Sequence, residues 1–568
     1  MPVLKPTSEW GHCVPPESNY GITTYMPGWD SAIKIREGDQ ATMARVVHIY
    51  PRFGPFRSVA EALMAICAKI KTPDGHGALY FTSPASFAAV RAHAVSPYRK
   101  EHIMKEENLG YRCVDIGGVR LYLVTYPKPK TPGIIGAWQN PGIGVSNRLA
   151  EHLLKNIDSL TEVKFEPGSA PPPTEYLPEG KAHGKLRERI AGLLHRAAIN
   201  PEKVKAETKD IFLYSTGMAA IFAAHNTLLE HRPGSVVILG IAFHSTVHYL
   251  HESSPHGYKH FGPVDAKGLD IFEAWLEEEA TAGRDVSYVL TEFPNNPLLA
   301  SVDLRRLKKL AEKHNFILIL DDTVGSFANI DVLSQSDILV SSLTKSFSGY
   351  ANVMGGSAVL NPLSPHYTTL SPLWSRTHRN ELYLGDAEVL LSNSEDYLSR
   401  TVILNRNAAA MAAYLHNFAQ DPSSPVTKVL YPPYLPDYET YKSYLRRSTP
   451  ELQEPGAGCL LSIDFDSTAT ARAFYDRLAF CPGPHLGAHL TLSLCYNALA
   501  FGKDPDEAAY HRSYGLLEES VRISAGLEDV QDLLDTLDDA LVVAKKVKGE
   551  LAEGPRTVEA AAGLGVAA

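Results

Sequence analysis

The middle of the chain alternates short apolar runs with longer amphipathic segments. The runs cover Asp210 to Tyr214, Val236 to Ile241, Val286 to Leu290, Phe316 to Leu320 and Ile338 to Ser341. Between them, Ser215 to about Leu229, Ile271 to Ala282 and Leu304 to His314 carry apolar positions at helical spacing. Strands separated by helices of this length predict a mostly parallel sheet with helices on both faces. In such sheets the chemistry gathers outside the carboxyl ends of the strands. Asn296, Asp321 and Lys345 each fall just past a predicted strand end.

The flanking regions read differently. Val59 to Lys71 has one apolar helical face, and Gly77 to Phe81 and Val119 to Tyr126 have strand character. Pro127 to Pro132 and Gly168 to Pro173 are proline-rich and linker-like, with a helix from Val145 to Ile157 between them and another from Lys185 to Ala197. After Leu360 come a helical segment from Ala387 to Gln420, an irregular Pro- and Tyr-rich excursion from Asp421 to Glu454, and strands at Cys459 to Phe465 and Leu490 to Ser493. A short strand carrying Arg522 precedes a helix from Val530 to Lys545. These patterns predict an N-terminal α+β extension (1–130), a large α/β domain (131–365), a smaller C-terminal α+β domain (366–550) and a disordered tail (551–568).

Composition narrows the function classes. Of 568 residues, 44% are hydrophobic and 21% charged, which permits a large core and excludes a wholly disordered chain. A net charge of −10, with no basic stretch to offset it, argues against a nucleic-acid partner. The six cysteines are scattered without a CxxC pair, so neither a disulfide framework nor a metal site is indicated. The N-terminus lacks an apolar signal core, and no run reaches the roughly 18–20 residues of a membrane span. A cytoplasmic protein with no membrane partner is expected.

The chemistry centres on Asp331 to Gly356. Here Lys345 follows a strand among Ser341, Ser342 and Thr344, ahead of the tight turns allowed by Gly349, Gly355 and Gly356. A lysine held among hydroxyls at a strand end is what Schiff-base chemistry on pyridoxal 5′-phosphate requires. Ser215-Thr216-Gly217-Met218 opens a helix, and amides at a helix N-terminus favour a phosphate. Asp321 could pair with a pyridinium nitrogen, and Arg522 could take a carboxylate through both arms of its guanidinium.

STGMAAIF, EFPNNPLL, LDDTVGSF, SSLTKSFSGYANVMGGSAVLNP and VRISAGLED occur in this order. Together they resemble the Cys/Met-metabolism pyridoxal-phosphate enzymes, and among those the fungal cystathionine γ-synthases, which also carry an N-terminal extension with a YPRF element like Tyr50 to Phe53. The resemblance implies the type I aminotransferase-like fold, shared active sites in a homodimer or homotetramer, and small amino-acid substrates. It implies that Lys345 binds the cofactor and shuttles protons and that Asp321 pairs with the ring nitrogen. Gly217, Met218, Ser342 and Thr344 would hold the phosphate, Asn296 would lie near the ring hydroxyl, and Arg522 would bind the substrate carboxylate. Four positions depart from the family pattern. Phe243 stands where a tyrosine usually stacks on the ring. Tyr176 remains of a Tyr-x-Arg phosphate clamp. Tyr350 and His485 replace other residues on the substrate side. The implied reaction is γ-replacement on an O-acyl-L-homoserine, by cysteine or by another nucleophile. A β- or γ-elimination lyase and a non-catalytic regulatory paralogue are the alternatives.

Overall fold

The apolar runs of the middle region pair side by side. The computed structural model describes residues 4, 8–51, 53–166, 169–173 and 177–553, and its central sheet has the order β5-β11-β10-β9-β8-β6-β7. N-terminal to it lie β1 (His76–Phe81), β2 (Gly110–Ile116), β3 (Val119–Pro127) and β4 (Thr161–Val163). The central strands are β5 (Ile211–Tyr214), β6 (Ser235–Leu239), β7 (Tyr258–Phe261), β8 (Val286–Glu292), β9 (Ile317–Asp321), β10 (Ile338–Ser342) and β11 (Gly356–Leu360). β7, β6, β8, β9 and β10 run parallel, while β11 is antiparallel to both its neighbours, β10 and β5. Every residue of β8 is buried, and β6, β9 and β10 each expose at most one end in part. Helices cover both faces of a parallel sheet, so its strands carry continuous apolar runs rather than alternation.

The C-terminal sheet contains β12 (Val426–Leu430), β13 (Leu460–Phe465), β14 (Cys481–Pro482), β15 (Leu492–Leu494) and β16 (Ser520–Ser524), in the order β12-β13-β16-β15-β14. The N-terminal sheet has the order β1-β3-β2-β4 and is antiparallel throughout.

Several expectations need correction. The N-terminal α+β region does not stop at residue 130: β4 pairs with β2, and Val145, Leu149, Ala150 and Leu153 share a core with Val59, Ala62, Leu121 and Leu123. β7, β11 and β12 fall where no strand is expected, and a short helix, Tyr438–Lys442, interrupts the excursion read as irregular. Of the tail expected from residue 551, the first part continues the helix Val530–Glu553, and residues 554–568 lie outside the described residues.

The N-terminal segment does not form a module apart. Met26, Trp29, Ala32 and Ile35 belong to the same buried cluster as the C-terminal core residues Phe474, Tyr475, Leu499 and Phe501. Ile22 N–H donates to the Ala351 carbonyl (2.9 Å), and Met26 N–H donates to the Pro482 carbonyl (3.0 Å). The first residues therefore bridge the loop after Lys345 and the edge of the C-terminal sheet.

Candidate active site

β8, β9 and β10 end side by side, and their ends carry Glu292, Asp321 and Ser342. Lys345 lies in the turn after β10, where Gly349 adopts φ 76°, a left-handed conformation that side chains disfavour. The helix Gly217–His231 points its N-terminus at the same place. Thr216 caps it, its hydroxyl accepting from Ala219 N–H at 2.9 Å. The Gly217 and Met218 amides lie in the first turn, whose donors have no partner within the helix.

Glycine is required where these elements meet. A Cβ on Gly217 would lie 2.8 Å from the Ser342 Cβ, and one on Gly356 would lie 2.3 Å from the Thr216 carbonyl oxygen. Bare backbone on both sides lets the helix start approach β10 and β11 this closely.

A cavity of about 100 Å³ results, lined among others by Gly217, Met218, Phe243, Glu292, Asn296, Asp321, Thr323, Ser342, Thr344 and Lys345. A second, of about 900 Å³, adjoins it and is lined by Arg36, His244, His485, Tyr496 and Arg522 among others. Tyr50, Phe243, Asn296, Lys345 and Leu486 line both.

The electrostatics are unbalanced toward acid at one end and base at the other. Asp321 and Glu292 face each other in the β8–β9 register. Burial raises the Asp321 carboxyl, against hydrogen bonds from Thr323, whose N–H donates to Oδ1 at 2.9 Å. Glu292 is pushed up by burial and then by Asp321, against bonds from the Phe243 N–H (2.6 Å) and Asn296 N–H (2.9 Å). Two acids crowded in an apolar site favour a cationic partner. At the other end Arg522 is buried on β16, 4.2 Å over the Tyr496 ring. Its Nη1 donates to Asn296 Oδ1 (2.9 Å) and its Nη2 to the His485 carbonyl (3.3 Å). The His485 ring lies 3.4 Å from Lys345 Nζ through Nδ1. Burial, then Lys345 and Arg522, keep that imidazole neutral.

The residues present therefore fit pyridoxal phosphate: a helix start and hydroxyls for a phosphate, a lysine for the aldehyde, and an uncompensated acid for a protonated ring nitrogen. A sequence model of the Cys/Met metabolism PLP-dependent enzymes matches residues 204–542. The chain belongs to that family. It is 31% identical to the alanine racemase ungC of Aspergillus violaceofuscus, over 95% of this chain and 97% of that protein. It is 32% identical to the cystathionine gamma-synthase-like enzyme iboG2 of Amanita muscaria, over 94% and 96%. A solved cystathionine gamma synthase from Xanthomonas oryzae, in complex with aminoacrylate and cysteine, superposes with a TM-score of 0.53 at 22% identity, covering 68% of this chain and 92% of that one. The fold is the expected type I PLP architecture, and pyridoxal phosphate is the cofactor of this family.

Not every expected site residue arrives at the cavities. Tyr350 lines neither. Its hydroxyl donates to Asp396, and its ring lies 5.1 Å below the Arg400 guanidinium. Thr344 lines the smaller cavity, but its hydroxyl already exchanges hydrogen bonds with Gly355 (3.2 and 3.0 Å). Asn296 is held by Arg522 and serves as its partner, in addition to facing the cavity. Tyr176 lies outside the described residues.

The site also contains residues that sequence reasoning left out. Glu292 sits two residues before the Pro294-Asn295-Asn296-Pro297 turn, so a strand-end acid was there to be noticed. The Thr323 hydroxyl accepts from Ser342 N–H at 2.8 Å and ties β9 to β10. Pro51 belongs to the YPRF element, whereas Ile22 and Tyr496 have no local signal at all.

Proposed function

We propose that the chain catalyses γ-replacement on an O-acyl-L-homoserine, with transferase chemistry at Lys345. One observation carries this reading: the small cavity at Lys345 shares Tyr50, Phe243, Asn296 and Leu486 with a space of about 900 Å³ that also holds Arg522, within the range of small-molecule sites. Replacement needs a second substrate at the reacting centre, whereas elimination does not.

When bound, pyridoxal phosphate supplies an electron-withdrawing ring that stabilises negative charge beside the substrate's Cα. Asp321 would hold the ring nitrogen, and the Gly217 and Met218 amides with the Ser342 hydroxyl would hold the phosphate. Phe243 would offer its apolar side chain to the cofactor ring. Arg522 grips the substrate carboxylate, held in place by Asn296 and the His485 carbonyl. That grip leaves Cα within reach of Lys345, whose amine takes the α-proton. Neutral His485 beside Nζ accepts a hydrogen bond and orients it. In the net reaction the bond from Cγ to the acyloxy oxygen breaks, a bond from Cγ to the nucleophile forms, and the nucleophile's proton leaves with the carboxylate. Cysteine would give cystathionine.

A homodimer or homotetramer is part of this reading, as is a soluble setting; among the described residues no helix is long and apolar enough to cross a membrane.

The test is product analysis of purified enzyme with O-acetyl-L-homoserine and a panel of nucleophiles, cysteine included. A new Cγ-linked product supports the proposal. Ketoacid release without added nucleophile would replace it with the lyase reading. The similarity to a protein named as an alanine racemase favours a second reading, inversion at Cα with no loss from Cγ. L-alanine converted to D-alanine, with O-acetyl-L-homoserine left intact, would establish that reading instead.

A further inference from the structure

The N-terminal region contributes a side chain to the reacting centre. Tyr50 lines both cavities, and Lys345 Nζ lies 5.7 Å from the centre of its ring. The same phenol is within electrostatic reach of Arg522 and of Tyr496. A substrate that spans from the Lys345 amine to the Arg522 guanidinium lies in the larger cavity, whose lining includes all three side chains.

This placement is built, not incidental. Tyr50 N–H donates to Thr24 Oγ1 (3.0 Å), and the same hydroxyl donates to the His48 carbonyl (2.7 Å), so one buried threonine closes the loop on both sides of Ile49. Phe53 N–H returns to the Tyr50 carbonyl (2.8 Å), and the Phe53 ring meets the Tyr50 ring edge-on at 5.5 Å. The strip that carries Thr24 is itself fixed at Ile22 to Ala351, at Met26 to Pro482 and at Trp29, whose N–H donates to Asp476 Oδ1 (2.6 Å). Tyr50 is only 9% exposed, yet its ring borders open space on the cavity side.

Chemistry gives the position a role. Phe243 offers an apolar face in this site but no hydroxyl. Tyr50 offers both, and lines the same two cavities as Phe243 and Lys345.

We propose that Tyr50 is a substrate-contacting residue of the active site, supplied by the N-terminal region of the same chain, which holds an α-amino acid between Lys345 and Arg522 through its ring and its hydroxyl. This rests on the reading of the Lys345 cavity as an amino-acid site. It does not depend on which reaction follows.

The experiment is a spectral titration of the holoenzyme with L-norvaline, an α-amino acid with no leaving group at Cγ. Tyr50→Phe keeps the ring and removes the hydroxyl, and should weaken binding roughly 10- to 150-fold, the usual effect of one lost hydrogen bond to a charged ligand. Tyr50→Ala should weaken it further, and Thr24→Val by a smaller factor, since it only loosens the loop. The lysine-bound chromophore and the melting midpoint of Tyr50→Phe should match wild type, which a purely structural role would not allow together with the binding loss. L-norvaline bound by Tyr50→Phe within about twofold of wild type overturns the proposal. L-norvaline bound normally by wild type, with no product from O-acetyl-L-homoserine, would remove γ-replacement and leave the role of Tyr50 to be read from the variants.

Discussion

The central sheet and the N-terminal region reach the same cavity by different routes. In the sheet, Glu292, Asp321 and Ser342 arrive because β8, β9 and β10 are parallel neighbours that stop at the same level. Backbone geometry alone aligns them. The N-terminal sheet carries none of the chemistry itself. It anchors a region whose early segment is tied at Ile22 to Ala351 and at Met26 to Pro482, passes through the helices Trp29–Arg36 and Gln40–Met43, and then delivers Tyr50. Parallel strand ends concentrate function by topology, whereas a loop does so only through contacts made one by one. Changes at the strand ends should therefore act on chemistry with the fold intact. Changes in the loop should act on substrate affinity.

The largest effect is expected at Lys345. Lys345→Ala should lower turnover by roughly 10³-fold or more, with loss of the lysine-bound absorbance, because among the described residues no other amine lines the smaller cavity. Turnover near wild type would move the chemistry away from the sheet. Gly217→Ala comes next. Its Cβ would lie 2.8 Å from the Ser342 Cβ and force apart the helix start and β10, at about 1–3 kcal/mol. Cofactor affinity from equilibrium dialysis should fall by roughly 10-fold or more; unchanged affinity would show that this approach does not shape the phosphate site.

Asp322, next to the strand-end acid, separates stability from chemistry. Burial raises its carboxyl to about 7. Between the unfolded value near 3.9 and that point, the native protein keeps a proton that the unfolded chain has released. Stability from this group is full below the window and is lost as pH rises through it. In the cofactor-free protein, urea melts at both ends of the window should differ by about 1–3 kcal/mol more in wild type than in Asp322→Asn. Parallel pH slopes for the two proteins would contradict the raised carboxyl. The smallest effect is expected at Tyr350. Tyr350→Phe removes the bond to Asp396, costing about 1 kcal/mol of stability, with KM and kcat within about twofold of wild type. A KM that climbs well beyond that would return Tyr350 to the substrate side.

Legibility in the sequence followed the same division. The runs that became β5, β6, β8, β9 and β10 could be read because strands buried on both faces stay apolar from end to end. β4, only three residues long and half-exposed, left no such pattern, and the boundary of the N-terminal region was drawn too early for that reason. Lys345, Asp321 and the helix start at Gly217 were visible because each sits at a junction that sequence marks. Tyr350 is less legible: it is only five residues beyond Lys345, yet after the turn at Gly349 its hydroxyl meets Asp396 and its ring meets Arg400.

The sequence by itself determined the cofactor chemistry and the central sheet, since apolar runs, helix starts and strand-end residues are local features with fixed geometric consequences. Only the tertiary structure decided which distant side chains share the cavity. Asn296 faces Arg522 across 226 positions of chain, and Tyr50 lies 5.7 Å from Lys345 Nζ although its YPRF element gives no sign of which distant lysine it meets. Proximity of that kind is set by the packing of three sheets and the bonds of single residues such as Thr24, which no periodicity along the chain encodes.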